Sequence, residues 1–159
     1  MSNSAVTNIV IAGLGGQGVL KASDIVADVA FDASLDVKKS EVHGMSQRGG
    51  SVNSDVRFGK EVFSPMVPPG EADYLVVLAP DQVEVNLPLL KKGGVLIQPS
   101  QVNEDKLSNK KSANVALLGI LSKYLDFSDD QWLAAVKKNL PEKLYAVNVE
   151  AFQVGKATA

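Results

Sequence analysis

The sequence of 159 residues contains no cysteine and a single histidine, His43. Thiolates are the usual ligands of iron–sulfur clusters, so we expect this chain to hold no cluster of its own. One histidine also excludes a site built from several histidines, and we predict no metal site. The lack of thiols agrees with a reducing compartment such as the cytoplasm.

Long apolar runs and a strong net charge are also missing. No run approaches the roughly 20 apolar residues that cross a bilayer, and residues 1–7 have neither the basic region nor the apolar core of a secretory signal. The formal net charge of −2 gives no broad attraction to nucleic acid or anionic lipid. We therefore expect a cytoplasmic protein without a nucleic-acid or membrane partner.

The composition and the apolar pattern predict the fold class. With 45% apolar residues and no internal repeat, the chain is predicted to be a single domain over residues 1–159. Apolar runs rich in β-branched residues predict strands at residues 5–12, 36–42, 74–79 and 95–98. Helical spacing follows the first strand and dominates the last third of the chain. The pattern predicts an α/β fold with a Rossmann-like, mostly parallel sheet flanked by helices.

Local signals predict two further elements. Residues 51–58 alternate as a half-exposed strand does, and Gly59-Lys60 then turns the chain toward residues 61–64, which predicts an inserted β-hairpin. Near the end of the chain, Ser128 and Gln131 have the spacing of a capping box, which predicts that a helix begins there.

A glycine-rich segment, GLGGQG at residues 13–18, matches the pattern G-x-G-x-x-G between a predicted strand and a predicted helix. Glycines allow a tight turn and a close approach of ligand to backbone, and a helix N-terminus offers unpaired amides to phosphate. The glycines either bind a dinucleotide, bind another phosphate-bearing ligand, or only let helix and sheet pack closely. A dinucleotide would need an acid at the end of the second strand, where Glu41 is the candidate. The candidate binding residues are Gly13, Gly15, Gly16, Gln17 and Gly18.

The segment EVHGMSQRGGS at residues 41–51 gathers the only histidine, an arginine, two hydroxyls and three glycines where two predicted strands meet. Glycines on both sides of a polar cluster indicate a backbone shaped to present these groups. Taken alone, a single histidine such as His43 is more often a hydrogen-bonded structural residue than a catalyst, and Arg48 is equally a candidate for a partner of a loop carbonyl or of an acid on another chain. No nucleophile elbow supports a serine triad. The candidate binding residues here are Ser46, Gln47, Arg48, Gly49 and Gly50.

Taken together, GLGGQGV at residues 13–19 and EVHGMSQRGGSV at residues 41–52 resemble the two signature segments of the gamma subunits or domains of pyruvate, ketoisovalerate and related 2-oxoacid:ferredoxin oxidoreductases. The histidine-containing form of the second segment resembles the beta subunits of indolepyruvate oxidoreductases in particular. The resemblance covers nearly the whole chain, although the chain is compact for such a subunit after Ser100. Further agreement lies at residues 72–78, 87–94, 114–119 and 148–156.

The resemblance implies a multi-subunit enzyme. In that family the complete enzyme decarboxylates a 2-oxoacid on thiamine diphosphate, passes electrons through [4Fe-4S] clusters to ferredoxin and transfers the acyl group to coenzyme A. We therefore expect this chain to be inactive alone and to bind none of these cofactors by itself. A larger partner subunit is expected to carry thiamine diphosphate, Mg²⁺ and the clusters. The sequence agrees, since it has neither cysteine nor the Gly-Asp-Gly segment that thiamine enzymes use.

Two roles for the chain within such a complex stay open. In the first, both segments line the active-site entrance near coenzyme A or the 2-oxoacid: the loop amides bind phosphate and Arg48 supplies a positive charge. There His43, with an ordinary pKa of about 6.5, orients a carboxylate or transfers a proton, which makes His43 and Arg48 the candidate catalytic residues. In the second, the chain is a non-catalytic assembly module whose segments contact the partner. Outside the family, the alternative is a free-standing dinucleotide-binding protein.

Overall fold

The computed structural model describes residues 6–43 and 50–158, without the side chain of His43. In the described part of the chain, five strands form one sheet in the order β2-β3-β1-β4-β5. The strands are β1 (Thr7–Leu14), β2 (Asp36–His43), β3 (Ser51–Gly59), β4 (Ala72–Val77) and β5 (Leu90–Ile97). The helices are α1 (Val19–Asp32), α2 (Val83–Asn86), α3 (Ala113–Ser122), α4 (Asp129–Asn139) and α5 (Tyr145–Lys156).

The strand directions confirm the predicted fold class. β1 pairs in parallel with β4, and β4 with β5, whereas β3 runs antiparallel to both of its neighbours, β1 and β2. β2 therefore points the same way as β1, and β3 is the one reversed strand of the sheet. The result is an α/β fold with a mostly parallel sheet flanked by helices.

The hairpin is present, but the predicted pairing is wrong. β3 pairs with β2, from Asp36 opposite Gly59 to His43 opposite Val52, so the hairpin joins these two strands. Residues 61–64 form no strand. The physical reason is that β3 lies inside the sheet: β2 and β1 occupy both of its edges and leave no backbone groups for a third partner.

The strand predicted at residues 95–98 begins earlier than its pattern indicates. β5 starts at Leu90, and its register against β4 shifts between the pairs Ala72–Leu90 and Tyr74–Val95. Gly93 lies in this irregular stretch with a φ of +82°, a left-handed conformation that glycine adopts without strain. The register shift shows that β5 is irregular around this glycine.

Most of the helical structure packs on one face of the sheet. Ile9, Ile11 and Val76 point from the strands into a core shared with α1, α3, α4 and α5. The capping box that begins α4 is confirmed: Ser128 Oγ accepts the Gln131 N–H at 3.1 Å, and Gln131 Oε1 accepts the Ser128 N–H at 2.8 Å.

The opposite face is covered by the connector between β3 and β4, residues 60–71, and by the short helix α2. Val10, Leu75 and Val77 form a smaller core there. Polar side chains of β3 hold the connector in place: Asp55 accepts the Val67 N–H at 2.9 Å, and Arg57 donates to two connector carbonyls at 2.9 and 3.2 Å. Burial raises the pKa of the Asp55 carboxyl. This face is thus covered by irregular chain rather than by long helices.

Two glycines bring α3 and α5 into close contact. A Cβ at Gly119 would collide with the carbonyl oxygen of Phe152, and one at Gly155 with the carbonyl oxygen of Ala116. α3 is buried from Val115 to Ser122 but has 10 residues, so it is about 15 Å long. Within the described ranges, no helix has the length and apolar character that a membrane span requires.

We expect Gly155→Ala to lower the free energy of unfolding by at least about 2 kcal/mol, because the new methyl group would meet rigid backbone of α3. Alanine is otherwise the better helix former, so intrinsic propensity alone predicts a gain of about 1 kcal/mol. Chemical denaturation measures the difference. At the exposed Ala146 of the same helix, Ala146→Gly should cost only about 1 kcal/mol. A stabilised Gly155→Ala protein would contradict the close contact.

Candidate functional site

The chain turns sharply between β1 and α1, at residues 15–18, here called the glycine turn. Gly16 and Gly18 both have a φ of +87°, which favours glycine strongly. Gln17 closes the turn on itself: its N–H donates to the Leu14 carbonyl at 3.2 Å, and its side-chain Oε1 accepts the Leu14 N–H at 2.7 Å. The turn therefore has a fixed shape before any ligand binds.

The glycines of this segment have different surroundings. A Cβ at Gly13 would lie 2.9 Å from Gln17 Oε1 and 3.0 Å from the Val19 side chain, and one at Gly18 would lie 2.5 Å from Asn114 Nδ2. At Gly16, no atom of the described residues comes within 4 Å of such a Cβ. Close packing therefore explains why glycine occupies positions 13 and 18. At Gly16, by contrast, a ligand has room to approach the backbone.

Hydrogen bonds within the protein already use two of the predicted phosphate-binding amides. The Gly15 N–H donates to the Gly50 carbonyl at 2.9 Å, and the Gln17 N–H is bonded to Leu14. A phosphate at this turn would therefore use the amides of Gly16 and Gly18. The bond between Gly15 and Gly50 also places the end of the second glycine-bearing segment directly beside the first.

The second segment joins the two strands of the hairpin. β2 ends at His43, whose backbone pairs with Val52, and β3 begins at Ser51. The candidate residues Ser46, Gln47, Arg48 and Gly49 lie outside the described residues, as does the His43 side chain. Their binding and catalytic roles stay predictions, and Gly50 is the member of this set whose contact with the glycine turn is described.

A cleft of about 610 Å³ opens beside the glycine turn. It lies at the carboxyl ends of the parallel strands, since its lining includes the turn after β1, Leu78 after β4 and Pro99 after β5. This is where open α/β sheets bind their ligands. The remaining wall comes from the start of α3 and the segment before it, together with Leu140, Leu144, Val147 and Asn148.

The lining of the cleft carries three lysines, Lys21, Lys110 and Lys111, against one carboxylate, Glu104. Lys21 lies in the first turn of α1. The lysine pair occupies a single 3₁₀ turn whose shape is fixed by Asn109, because Asn109 Oδ1 accepts the Lys111 N–H at 2.9 Å. A local excess of positive charge on a chain of net charge −2 favours an anionic ligand.

No pattern in the sequence indicates that the three lysines and Asn114 line one cleft with the glycine turn. The pair Lys110-Lys111 looks like an ordinary solvated stretch in the sequence, and about 90 residues separate it from the glycine segment. Only the packing of α3 beside the start of α1 brings the two regions together, and no periodic pattern encodes that contact.

The strand order bears on the dinucleotide interpretation. In dinucleotide-binding folds the second strand lies next to the first, so that its terminal acid reaches the ribose. Here Glu41 is in register with Ser54 of β3, and Ser54 with Ile11 of β1. Two strand spacings, roughly 10 Å, therefore separate Glu41 from β1. This geometry does not support a ribose contact by Glu41 at the glycine turn.

The fold and the cleft together define a single-sheet α/β protein with a lysine-lined cleft at the end of its parallel strands. The family model of pyruvate ferredoxin/flavodoxin oxidoreductase matches residues 8–158. The chain belongs to this family, which confirms the resemblance of its two glycine-bearing segments.

Curated relatives agree with this assignment. The indolepyruvate oxidoreductase subunit IorB of Thermococcus kodakarensis is 34% identical over an alignment of 192 positions, which covers 96% of this chain and 95% of that protein. The pyruvate/ketoisovalerate oxidoreductases common subunit gamma of Thermococcus litoralis is 32% identical over 67% of this chain and 60% of that protein. The first alignment is longer than the chain's 159 residues, so that relative has insertions that this chain lacks.

Solved structures share the fold. The gamma subunit of a keto/oxoacid ferredoxin oxidoreductase from Geobacter sulfurreducens superposes with a TM-score of 0.75 at 26% identity, over 94% of this chain and 95% of that one. A 2-oxoglutarate:ferredoxin oxidoreductase chain from Magnetococcus marinus superposes with a TM-score of 0.81 at 21% identity, over 96% of this chain and 30% of that one. At the lower identity the likeness concerns the fold alone.

We expect Gly13→Ala to lower the free energy of unfolding by about 1–3 kcal/mol, because its methyl group would meet three neighbouring side chains. Gly16→Asn should cost at most about 1 kcal/mol, since asparagine tolerates the left-handed conformation and the space around Gly16 is open. Urea denaturation of both variants measures the contrast. Equal losses of unfolding free energy in the two variants would show that the space around Gly16 is not open.

Proposed function

We propose that this chain is the cluster-free subunit of a cytoplasmic 2-oxoacid:ferredoxin oxidoreductase that converts indolepyruvate or a related aryl pyruvate to its acyl-coenzyme A. Within the complex, the cleft beside the glycine turn binds the phosphate-bearing end of coenzyme A. This role is supported by one observation: the cleft combines three lysines with uncrowded backbone at Gly16.

The proposed substrate class rests on the extent of the similarity. The indolepyruvate oxidoreductase subunit aligns along almost its full length, whereas the pyruvate/ketoisovalerate gamma subunit aligns over 60% of its length. Both relatives are named as subunits, which supports an assembly with a larger partner. The histidine-containing second segment adds to the preference for indolepyruvate.

Coenzyme A suits the cleft by charge and by position. Its phosphates are multiply charged, and Lys21, Lys110 and Lys111 supply the opposite charge. Backbone amides at the start of α1 add hydrogen-bond donors and the partial positive charge of a helix N-terminus. In this role the chain binds and orients the acyl acceptor, while Arg48 and His43 act beside it at the entrance.

The residues of this chain do not fit the redox cofactors. Iron–sulfur clusters need thiolates, and the sequence has no cysteine. Among the described residues, no group of three or more histidine, aspartate and glutamate side chains is arranged to hold a metal ion. Thiamine diphosphate, which makes decarboxylation of the 2-oxoacid possible, and the clusters that pass electrons to ferredoxin are therefore assigned to the larger subunit.

A second candidate role, a purely assembling subunit, is favoured by one observation. Several large apolar side chains are exposed on the sheet face that carries the connector: Phe63 is 85% exposed, Val85 67% and Met66 55%. Side chains of this kind commonly mark contact surfaces. This role differs from the first in one respect, because it requires no ligand in the cleft.

Charge removal in the cleft separates the two roles. In the complex co-expressed with its larger subunit, Lys21→Ala and Lys111→Ala should each raise the KM for coenzyme A about tenfold, since a charge-assisted contact contributes about 1.5–3 kcal/mol. The KM for indolepyruvate and the yield of assembled complex should stay unchanged. Steady-state kinetics with ferredoxin as acceptor gives these values.

The matched control is Lys92→Ala, an exposed lysine at the start of β5 and at the opposite end of the sheet from the cleft. It should leave every kinetic constant unchanged. Lysine variants of the cleft that assemble and keep the wild-type KM for coenzyme A would rule out the binding role and leave the assembling role.

A further inference from the structure

Asn114 is a polar residue at the start of an otherwise apolar helix. α3 is buried from Val115 to Ser122, and Asn114 precedes this run in the helix's first turn. Its side chain lines the cleft. A polar amide here is not needed to fill the core, so its hydrogen bonds indicate what it does.

The two ends of the Asn114 side chain contact two different helices. Oδ1 accepts the backbone N–H of Val115 at 2.9 Å and thereby satisfies one of the unpaired amides at the start of α3. Nδ2 donates to the carbonyl of Gly18 at 3.5 Å. Gly18 is the residue that precedes α1, so one amide group joins the beginnings of both helices.

The contact with Gly18 is close as well as polar. A Cβ at position 18 would lie 2.5 Å from Asn114 Nδ2. The opposite end of the glycine turn is fixed by the bond from the Gly15 N–H to the Gly50 carbonyl. The backbone of residues 15–18 is thus held at one end by the hairpin and at the other by α3.

We propose that Asn114 is a positioning residue of the cleft, which holds the glycine turn in the conformation that binds the phosphate-bearing ligand. It acts through the backbone of Gly18 and keeps the starts of α1 and α3 at a fixed separation. Asparagine is suited to this position because it has a donor for the carbonyl and an acceptor for the N–H. Aspartate would place an oxygen against the Gly18 carbonyl. That the turn binds a phosphate-bearing ligand rests on the function proposed above.

The test uses Asn114→Ala and Asn114→Asp in the assembled complex. Both variants should raise the KM for coenzyme A about tenfold through misplacement of the turn, with kcat within about twofold of wild type. Hydrogen exchange of the backbone amides at residues 15–21 should become faster, because the Gly18 carbonyl then keeps only its helical bond from the Ala22 N–H.

Ser122→Ala is the matched control, since Ser122 is a buried residue at the other end of α3 and its Oγ donates to the Gly119 carbonyl at 2.6 Å. It removes a buried hydrogen bond from the same helix but should leave the KM for coenzyme A and the exchange at residues 15–21 unchanged. A rise in KM of equal size in Ser122→Ala would overturn the inference, because the effect would then come from general loosening of α3.

A double-mutant cycle tests the contact without any ligand. Gly18→Ala should cost less unfolding free energy in an Asn114→Ala protein than in wild type, since the collision with Nδ2 is gone. If the unfolding costs of the two substitutions are additive and the hydrogen exchange of the amides at residues 15–21 is unchanged, the positioning role is overturned. If the wild-type complex does not use coenzyme A, the proposed function fails, whereas the cycle and the exchange still decide whether Asn114 holds the turn.

Discussion

The turn between β1 and α1 is the constraint on which the rest of the site depends. Two of its residues adopt a left-handed backbone that only glycine accepts without strain, and the side chain of Gln17 locks the turn to Leu14. Its ends are tied to Gly50 and to Asn114. Through these ties, a segment of four residues fixes the relative placement of the hairpin, α1 and α3, and so shapes the cleft.

The reversed strand distinguishes this sheet from that of a dinucleotide-binding fold with a similar glycine pattern. By lying between β1 and β2, β3 moves Glu41 away from the glycine turn and brings Gly50 beside it. The cleft beside the glycine turn is lined by lysines from α1 and from the segment before α3, and no acid of the second strand reaches it. A cationic cleft with open backbone suits phosphates, and a chain without cysteine offers no thiolate to an iron–sulfur cluster.

The sequence predicted the elements that have strong local signals and missed those that depend on pairing. Periodicity locates β1 and β4 to within two residues, and the capping box gives the start of α4 correctly, because apolar runs and caps are local. The partner of β3 was predicted wrongly, since alternation shows that a strand forms but not which edge it joins. At the site, the glycine pattern pointed to the turn, while Lys111 and Asn114 reach it only through tertiary packing.

The most direct measurement is a structure of the assembled complex with coenzyme A bound. We expect a phosphate group of coenzyme A to lie within hydrogen-bond distance of the backbone amides of Gly16 and Gly18 and near Lys21. Coenzyme A bound wholly by the larger subunit, with the cleft beside the glycine turn filled by protein or solvent, would contradict it.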